Sequence, residues 1–252
     1  YDCTASSSRV NYSGRREALL LMESDNVPLL KSNRAFWHNP FTVIFSALVL
    51  FFASQVVGAL FVVPLSRYIP NQNYQIVVFI GMNLLVMLGL LGTAMKVIGF
   101  SWADVGWRPV GAKSLLRIVP AFLVYFFVST GFTLLATKLI PGFNVDQTQD
   151  IGFSNLAKPS ELTATFIALV ILTPIFEEII FRGVLFRGLK RTLPFWFAAI
   201  VTSLAFAVAH LQWNVAVDTF ALSLIMCYLV EKSESIVPSI LLHAIKNSLA
   251  FV

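Results

Sequence analysis

Three ionisable residues, Glu177, Glu178 and Arg182, lie within six positions of one strongly apolar segment. An ionisable side chain at the centre of a bilayer costs about 2.5–3.5 kcal/mol even on a lenient insertion scale, so membrane proteins keep such groups mainly where they function. Two histidines, His210 and His243, lie on two later apolar segments. Carboxylates and imidazoles are the usual groups of acid–base catalysis. The sequence therefore indicates intramembrane catalysis as the first hypothesis.

Hydrolysis by an activated water is the chemistry that these residue types allow. A desolvated carboxylate is a better base than a solvated one, and with a histidine it can hold and deprotonate water. Glu177 and His210 lie seventeen and sixteen residues from Pro194, so an antiparallel hairpin places both about 24–26 Å from its turn. His243 and Asn247 are four residues apart and share a helix face. Their side chains are predicted to stabilise an oxyanion.

Further pairs with helical spacing are predicted to support this chemistry. Glu178 and Arg182 can form an ion pair, which leaves Glu177 as the freer carboxylate. The spacing of Phe206 and His210 lets the phenyl ring wall one side of the imidazole. The residues assigned supporting roles are Glu178, Arg182, Phe206 and Asn214.

Other interpretations of the same residues stay open at this level. The Glu–Glu–Arg cluster could lock helices together, and each histidine could be an interhelical hydrogen-bond donor. Asp218 is either a loop end or a polar pocket residue. Glutamate and histidine can bind zinc, but the chain has no His-Glu-x-x-His pair, so the predicted cofactor is none, with a metal as the weaker alternative. A proton-relaying transporter ranks last, because the two halves show no matching broken helices.

The elements that must position these residues are membrane helices. The 252 residues are 57% hydrophobic and 12% charged, whereas soluble domains carry about 25% charged residues. We predict an all-α polytopic transmembrane bundle of about seven spans, with a polar tail at 1–38 and one membrane domain at 39–252. The fourth helix is predicted to begin at an N-cap Ser160 and to kink at Pro174. The predicted spans are 41–63, 76–95, 118–139, 160–191, 195–211, 215–230 and 236–251.

Charge and cysteine usage restrict partners and orientation. The net charge of +5 requires no nucleic acid, and the basic residues cluster before the first span, after the second and before Pro194. By the positive-inside rule, this pattern predicts a multi-pass protein of the cell membrane with a cytoplasmic N-terminus. Cys3 and Cys227 are the only cysteines, and their placement favours neither a disulfide nor a metal site.

The ordered motifs resemble those of a known membrane family. Residues 177–182 read Glu-Glu-Ile-Ile-Phe-Arg, 206–210 read Phe-Ala-Val-Ala-His and 243–247 read His-Ala-Ile-Lys-Asn. They match the EExxxR, FxxxH and HxxxN motifs of the CAAX-protease and bacteriocin-processing (CPBP, Abi) proteins. The resemblance covers about 160–251.

This resemblance implies a glutamate-dependent intramembrane endopeptidase. Glu177 and His210 would activate water, His243 and Asn247 would form the oxyanion hole, and Glu178 and Arg182 would organise the site. Family members have up to eight spans, so the full gene product is expected to carry seven or eight. The implied partners are the bilayer and a membrane peptide or protein, lipidated or not. A non-catalytic immunity or peptide-binding protein of the same family is the alternative.

Overall fold

The computed structural model describes residues 36–146, 152–153, 156 and 158–251, and the regular structure of these residues is entirely helical. The predicted all-α bundle is therefore confirmed. Residues 1–35 of the predicted polar tail lie outside the described residues. The seven helices are α1 Pro40–Leu65, α2 Gln72–Ile98, α3 Ala112–Leu139, α4 Pro159–Leu189, α5 Phe195–Val208, α6 Trp213–Ser233 and α7 Val237–Phe251.

Five of these helices, α1, α2, α3, α4 and α6, are long and apolar enough to cross a membrane. The other two predicted spans correspond to shorter helices: α5 has 14 residues and α7 has 15. The predicted fifth span ran to residue 211, but α5 ends at Val208 because the chain turns there and Leu211 takes a left-handed backbone conformation with φ of 55°. The chain is thus a multi-pass membrane protein in which α5 and α7 are short.

Helices α4 and α6 form the centre of the bundle. Half of the apolar stretch of each is buried within the protein, against 17–22% for α1, α2 and α3. Large apolar side chains on the outer helices are exposed, including Phe41 on α1 and Phe127 on α3. Since a soluble protein rarely exposes so continuous an apolar surface, these outer faces fit contact with lipid. The second half of α4, which carries Glu178 and Arg182, is almost entirely buried among the other helices.

The start of α4 differs from the prediction. The helix begins at Pro159, and Ser160 is not its N-cap. Proline suits the first helical position because the N–H that it lacks would have no intrahelical partner there. In the same first turn, the buried Glu161 accepts hydrogen bonds from the side-chain amides of Asn71, at 3.0 Å, and Asn73, at 3.4 Å. These bonds attach the start of α4 to the start of α2.

Helix α4 is irregular on both sides of Pro174. Wide π-helical turns cover Ile167–Leu172 and Ile179–Phe186, and the stretch Thr173–Glu178 between them is α-helical. Pro174 lacks the N–H that a regular helix would use. The predicted disturbance at Pro174 thus takes the form of π turns, which often occur at functional sites.

The segment at 100–117 is partly docked onto the bundle. Val105 is fully buried. The carboxylate of Asp104 accepts hydrogen bonds from Nη2 of Arg191, at 3.3 Å, and from the backbone N–H of Ser101, at 2.8 Å. Burial opposes ionisation of Asp104, but the hydrogen bonds from Ser101 and the pairing with Arg191 outweigh it and hold the pKa of this carboxyl below its ordinary value. The loop therefore fixes the end of α4 from outside.

Gly183 is expected to be essential for this docking. A Cβ atom there would lie 2.8 Å from the backbone oxygen of Val105, and backbone cannot move aside cheaply. We expect Gly183→Ala to lower the free energy of unfolding by about 1–3 kcal/mol, the usual cost of overpacking. The matched control is Gly131→Ala, because nothing lies within 4 Å of a Cβ at that position on α3. Thermal unfolding of both purified variants in detergent tests this, and equal melting temperatures would contradict it.

Candidate active site

A cavity of about 910 Å³ opens between the helices of the bundle. Six of the seven helices line it, and the remainder of its wall comes from the segment after α3 and the turn after α5. The predicted residues that line it are Glu177, His210, Asn214, His243 and Asn247. The structure thus brings all four predicted catalytic residues to one cavity, from three separate parts of the chain.

Behind the cavity wall lies the predicted ion pair of Glu178 and Arg182. Arg182 Nη1 donates to Glu178 Oε1 at 2.8 Å, and neither side chain is exposed. The same carboxylate oxygen lies 3.0 Å from Nδ1 of His243. Because a carboxylate accepts hydrogen bonds, Nδ1 carries the hydrogen in this arrangement. Arg182 and Glu178 therefore set the orientation and tautomer of the His243 ring.

Glu177 differs from its neighbour in exposure and in pairing. Its side chain is 16% exposed against 0% for Glu178, and among the described residues its Oε2 atom has no hydrogen-bond partner. His243 Nε2 lies 3.7 Å from this oxygen, too far for a hydrogen bond. The structure thus confirms that Glu177 is the freer carboxylate, and it places the His243 ring between the two glutamates.

His210 lies in the turn that follows α5 and is half-buried. Its Nδ1 is 2.8 Å from the backbone oxygen of Phe206. A carbonyl oxygen only accepts, so Nδ1 is the protonated nitrogen, and in the neutral ring Nε2 is an acceptor. No hydrogen bond between His210 and Glu177 occurs among the residues that the structure describes, although both line the same cavity.

The ring of Phe206 connects the separate parts of the site. It is fully buried and meets the His210 ring edge-on at 4.9 Å between centroids, as predicted from their spacing. It also contacts the His243 ring at 5.8 Å, and the Arg182 guanidinium lies 4.3 Å from its centroid. Cation–π contacts of this kind are worth about 2 kcal/mol when desolvated. Phe206 therefore fixes both imidazoles relative to the buried arginine.

Asn247 is held by the irregular part of α4. Its Nδ2 donates to the backbone oxygen of Leu169 at 2.9 Å. In a π-helical register, that oxygen faces the nitrogen of Pro174, which has no hydrogen to donate. The π turn thus leaves a carbonyl for Asn247 to bind. Since an amide group has two hydrogens, one N–H of Asn247 remains for another acceptor.

A second polar group in the cavity was only partly anticipated. Asp218 Oδ1 accepts from Tyr125 at 2.7 Å and from Ser129 at 2.5 Å, and Lys246 Nζ lies 3.5 Å from Oδ2. Asp218 is therefore a polar pocket residue rather than a loop end. The sequence did not single out Tyr125, Ser129 or Lys246, although the four-residue spacing of Tyr125 and Ser129 on α3 was a visible signal.

Metal binding by the glutamates and histidines of the site was the weaker alternative in the sequence analysis. Across the described part of the chain, no three His, Cys, Asp or Glu side chains come together in a way that could hold a metal ion. Cys227 is buried with a free thiol, and Cys3 lies outside the described residues.

The long apolar helices define the protein as a multi-pass membrane protein. Residues 159–249 match the family model described as Type II CAAX prenyl endopeptidase Rce1-like. The matched segment runs from the start of α4 into α7 and contains all three motifs, so the predicted resemblance to CAAX proteases is confirmed there, and a protease activity is supported. Neither the comparison with curated proteins nor that with solved structures found a match.

Proposed function

We propose that this protein is a glutamate-dependent intramembrane endopeptidase that cleaves a membrane-associated peptide or protein with an activated water. One observation carries the proposal: Glu177 and His210 line the same cavity, and each has an acceptor atom that no described residue of the protein uses. A water molecule has two hydrogens to donate, so it suits two such acceptors. The family match over 159–249 supports the same class of reaction.

The reaction begins with a water that donates to Glu177 and to Nε2 of His210. Glu177 takes a proton as the water oxygen attacks the scissile carbonyl carbon. The remaining N–H of Asn247 and, when its ring is doubly protonated, Nε2 of His243 donate to the resulting oxyanion. Glu177 then passes its proton to the leaving amine as the peptide bond breaks, which gives a carboxylic acid and an amine. The acid loses its remaining proton to water as the products leave.

Glu178 and Arg182 act by positioning in this scheme. Glu178 accepts a hydrogen bond from Nδ1 of His243. Arg182 balances the negative charge of Glu178, which is fully buried and so is not solvated by water. A buried carboxylate without such a partner would be strongly unfavourable. Neither residue lines the cavity, so neither is assigned contact with substrate.

The cavity also suits a substrate with apolar parts. Aromatic side chains from α1, α2, α4 and α7 share its wall with the polar groups, and they include Phe51, Phe79, Phe176 and Phe251. Together with the family description, this favours a peptide with a prenylated cysteine near its C-terminus. We place the protein in the cell membrane with its N-terminus in the cytoplasm, and we assign the reaction no metal cofactor.

Purified protein in liposomes, given a peptide with a prenylated cysteine followed by three residues, tests the proposal. We expect release of the C-terminal tripeptide, weaker cleavage of the unprenylated peptide, and full activity after chelator treatment in protein shown to contain no metal. Binding without cleavage would favour the non-catalytic peptide-binding alternative. Activity that is lost with chelator and restored by zinc would overturn the metal-free mechanism.

Asn247→Ala is expected to lower kcat by about 10²–10³, the size of effect seen when one oxyanion donor is lost. The neighbouring Ser248→Ala is the matched control, because Ser248 does not line the cavity. Steady-state cleavage of the prenylated peptide measures both. An Asn247→Ala enzyme with unchanged kcat would remove Asn247 from the oxyanion hole.

A further inference from the structure

We propose that Gln55 on α1 binds a main-chain carbonyl of the substrate and that Asn83 on α2 positions it. Both residues lie outside the family-matched segment at 159–249, yet both line the cavity that contains Glu177. The inference rests on the proposed function, because it takes the occupant of the cavity to be a peptide. It assigns the first two helices a part in substrate recognition.

The side-chain amides of Gln55 and Asn83 are joined by one hydrogen bond between two membrane helices. Asn83 Nδ2 donates to Gln55 Oε1 at 2.5 Å, and only 5% of Asn83 is exposed. This bond occupies the carbonyl end of the Gln55 amide. Its nitrogen end carries two hydrogens and only donates, and Gln55 is half-buried at the cavity wall. An amide in this position matches a carbonyl acceptor on a bound peptide.

The depth of Gln55 follows from the packing of α1 on α4. A Cβ atom added at Gly188, near the end of α4, would touch Val43, near the start of α1, so the two helices are antiparallel. Further along, the Phe51 ring contacts the Phe176 ring at 6.1 Å between centroids. Gln55 is one helical turn beyond Phe51 on the same face. It therefore lies at about the level of Phe176, the residue before Glu177.

A close approach of α1 to α2 fixes the orientation of Asn83. A methyl group at Gly58 would overlap Oδ1 of Asn83, so glycine is required for the observed contact. That Oδ1 atom is buried and accepts no hydrogen bond from any described residue, which is unfavourable for a buried acceptor. With Oδ1 against Gly58, the Nδ2 end is held towards Gln55.

A purely structural role for the pair is the competing explanation. Polar side chains often join neighbouring helices within membranes, where each such bond contributes modestly to stability. That explanation predicts that loss of the pair lowers stability and leaves peptide affinity of the folded protein unchanged. The two explanations therefore differ in affinity measured on folded protein.

The test is equilibrium binding of the prenylated peptide to variants that also carry Glu177→Gln, so that cleavage cannot interfere. Gln55→Met, which keeps the side-chain length but cannot donate, is expected to raise Kd about three- to tenfold, as for loss of one neutral hydrogen bond. Gly58→Ala should do the same by displacing Asn83. The matched control is Gly81→Ala on α2, where nothing lies within 4 Å of the added Cβ, and its Kd should stay unchanged.

Thermal unfolding of the same samples gives the folded fraction. A Gln55→Met protein that is folded and binds the peptide with unchanged Kd would overturn the inference, as would equal effects of Gly58→Ala and Gly81→Ala. The Kd measurement requires no cleavage. A wild-type protein that binds the peptide but does not cleave it would therefore contradict the proposed function, and the comparison of Kd values would still test the role of Gln55.

Discussion

The Glu177→Gln variant is expected to lose a factor of about 10²–10⁴ in cleavage rate, the usual contribution of a general base, while it folds like the wild type. The substitution preserves the shape of the side chain and removes its basicity. Within the described part of the chain Glu177 Oε2 accepts no hydrogen bond, and Nε2 of His243 lies 3.7 Å from it. Loss of the negative charge therefore breaks no close ion pair.

Initial cleavage rates and melting temperatures of the purified proteins measure this effect. The same substitution at Glu231, which pairs with Lys190 at 3.1 Å away from the cavity, is the control and should keep full activity. Glu177→Gln protein that cuts at the wild-type rate would contradict the mechanism. Activity lost only through failure to fold would contradict it as well.

Arg182→Met is expected to destabilise the protein by about 3–5 kcal/mol, because it leaves the carboxylate of Glu178 buried without its cation. The pair has no exposed atoms on either side chain, so water cannot take the place of the guanidinium. The variant also loses the contact with the Phe206 ring. Low yield and a lower melting temperature in detergent would show the effect.

A double variant, Glu178→Met with Arg182→Met, separates stability from activity. Removal of both charges avoids the unpaired ion, and replacement of buried pairs by uncharged groups is often nearly neutral. We expect most of the stability to return, while cleavage stays low because His243 loses its carboxylate acceptor at Nδ1. A double variant with wild-type activity would show that the pair does not position His243.

Local helix geometry made part of the site predictable. Residues four apart meet in a regular α-helix, and the Glu178–Arg182 pair and the Phe206–His210 contact were inferred from that spacing. Both contacts form although Arg182 lies in a π-helical stretch and His210 lies just beyond the end of α5. The prediction that Glu177 and His210 come to a similar depth followed from their nearly equal separations from the turn at Pro194, and both line one cavity. In each case a short or nearly symmetric piece of chain determines which side chains come near one another.

Contacts between distant helices could not be predicted in the same way. The position of His243 between two carboxylates depends on how α7 packs against α4, which no spacing encodes. Gln55 and Asn83 stand out as polar residues in apolar spans, but their pairing depends on the close approach at Gly58. The π turns around Pro174, which present the Leu169 carbonyl to Asn247, depend likewise on tertiary packing.

Mass analysis of the products formed from the prenylated peptide, by wild-type protein and by Glu177→Gln in parallel, tests the central claim most directly. We predict that wild-type protein cuts one peptide bond beyond the prenylated cysteine, and that the tripeptide appears at least about 10² times more slowly with Glu177→Gln. A folded wild-type protein that binds the peptide but releases no product, or equal product from both proteins, would contradict the account.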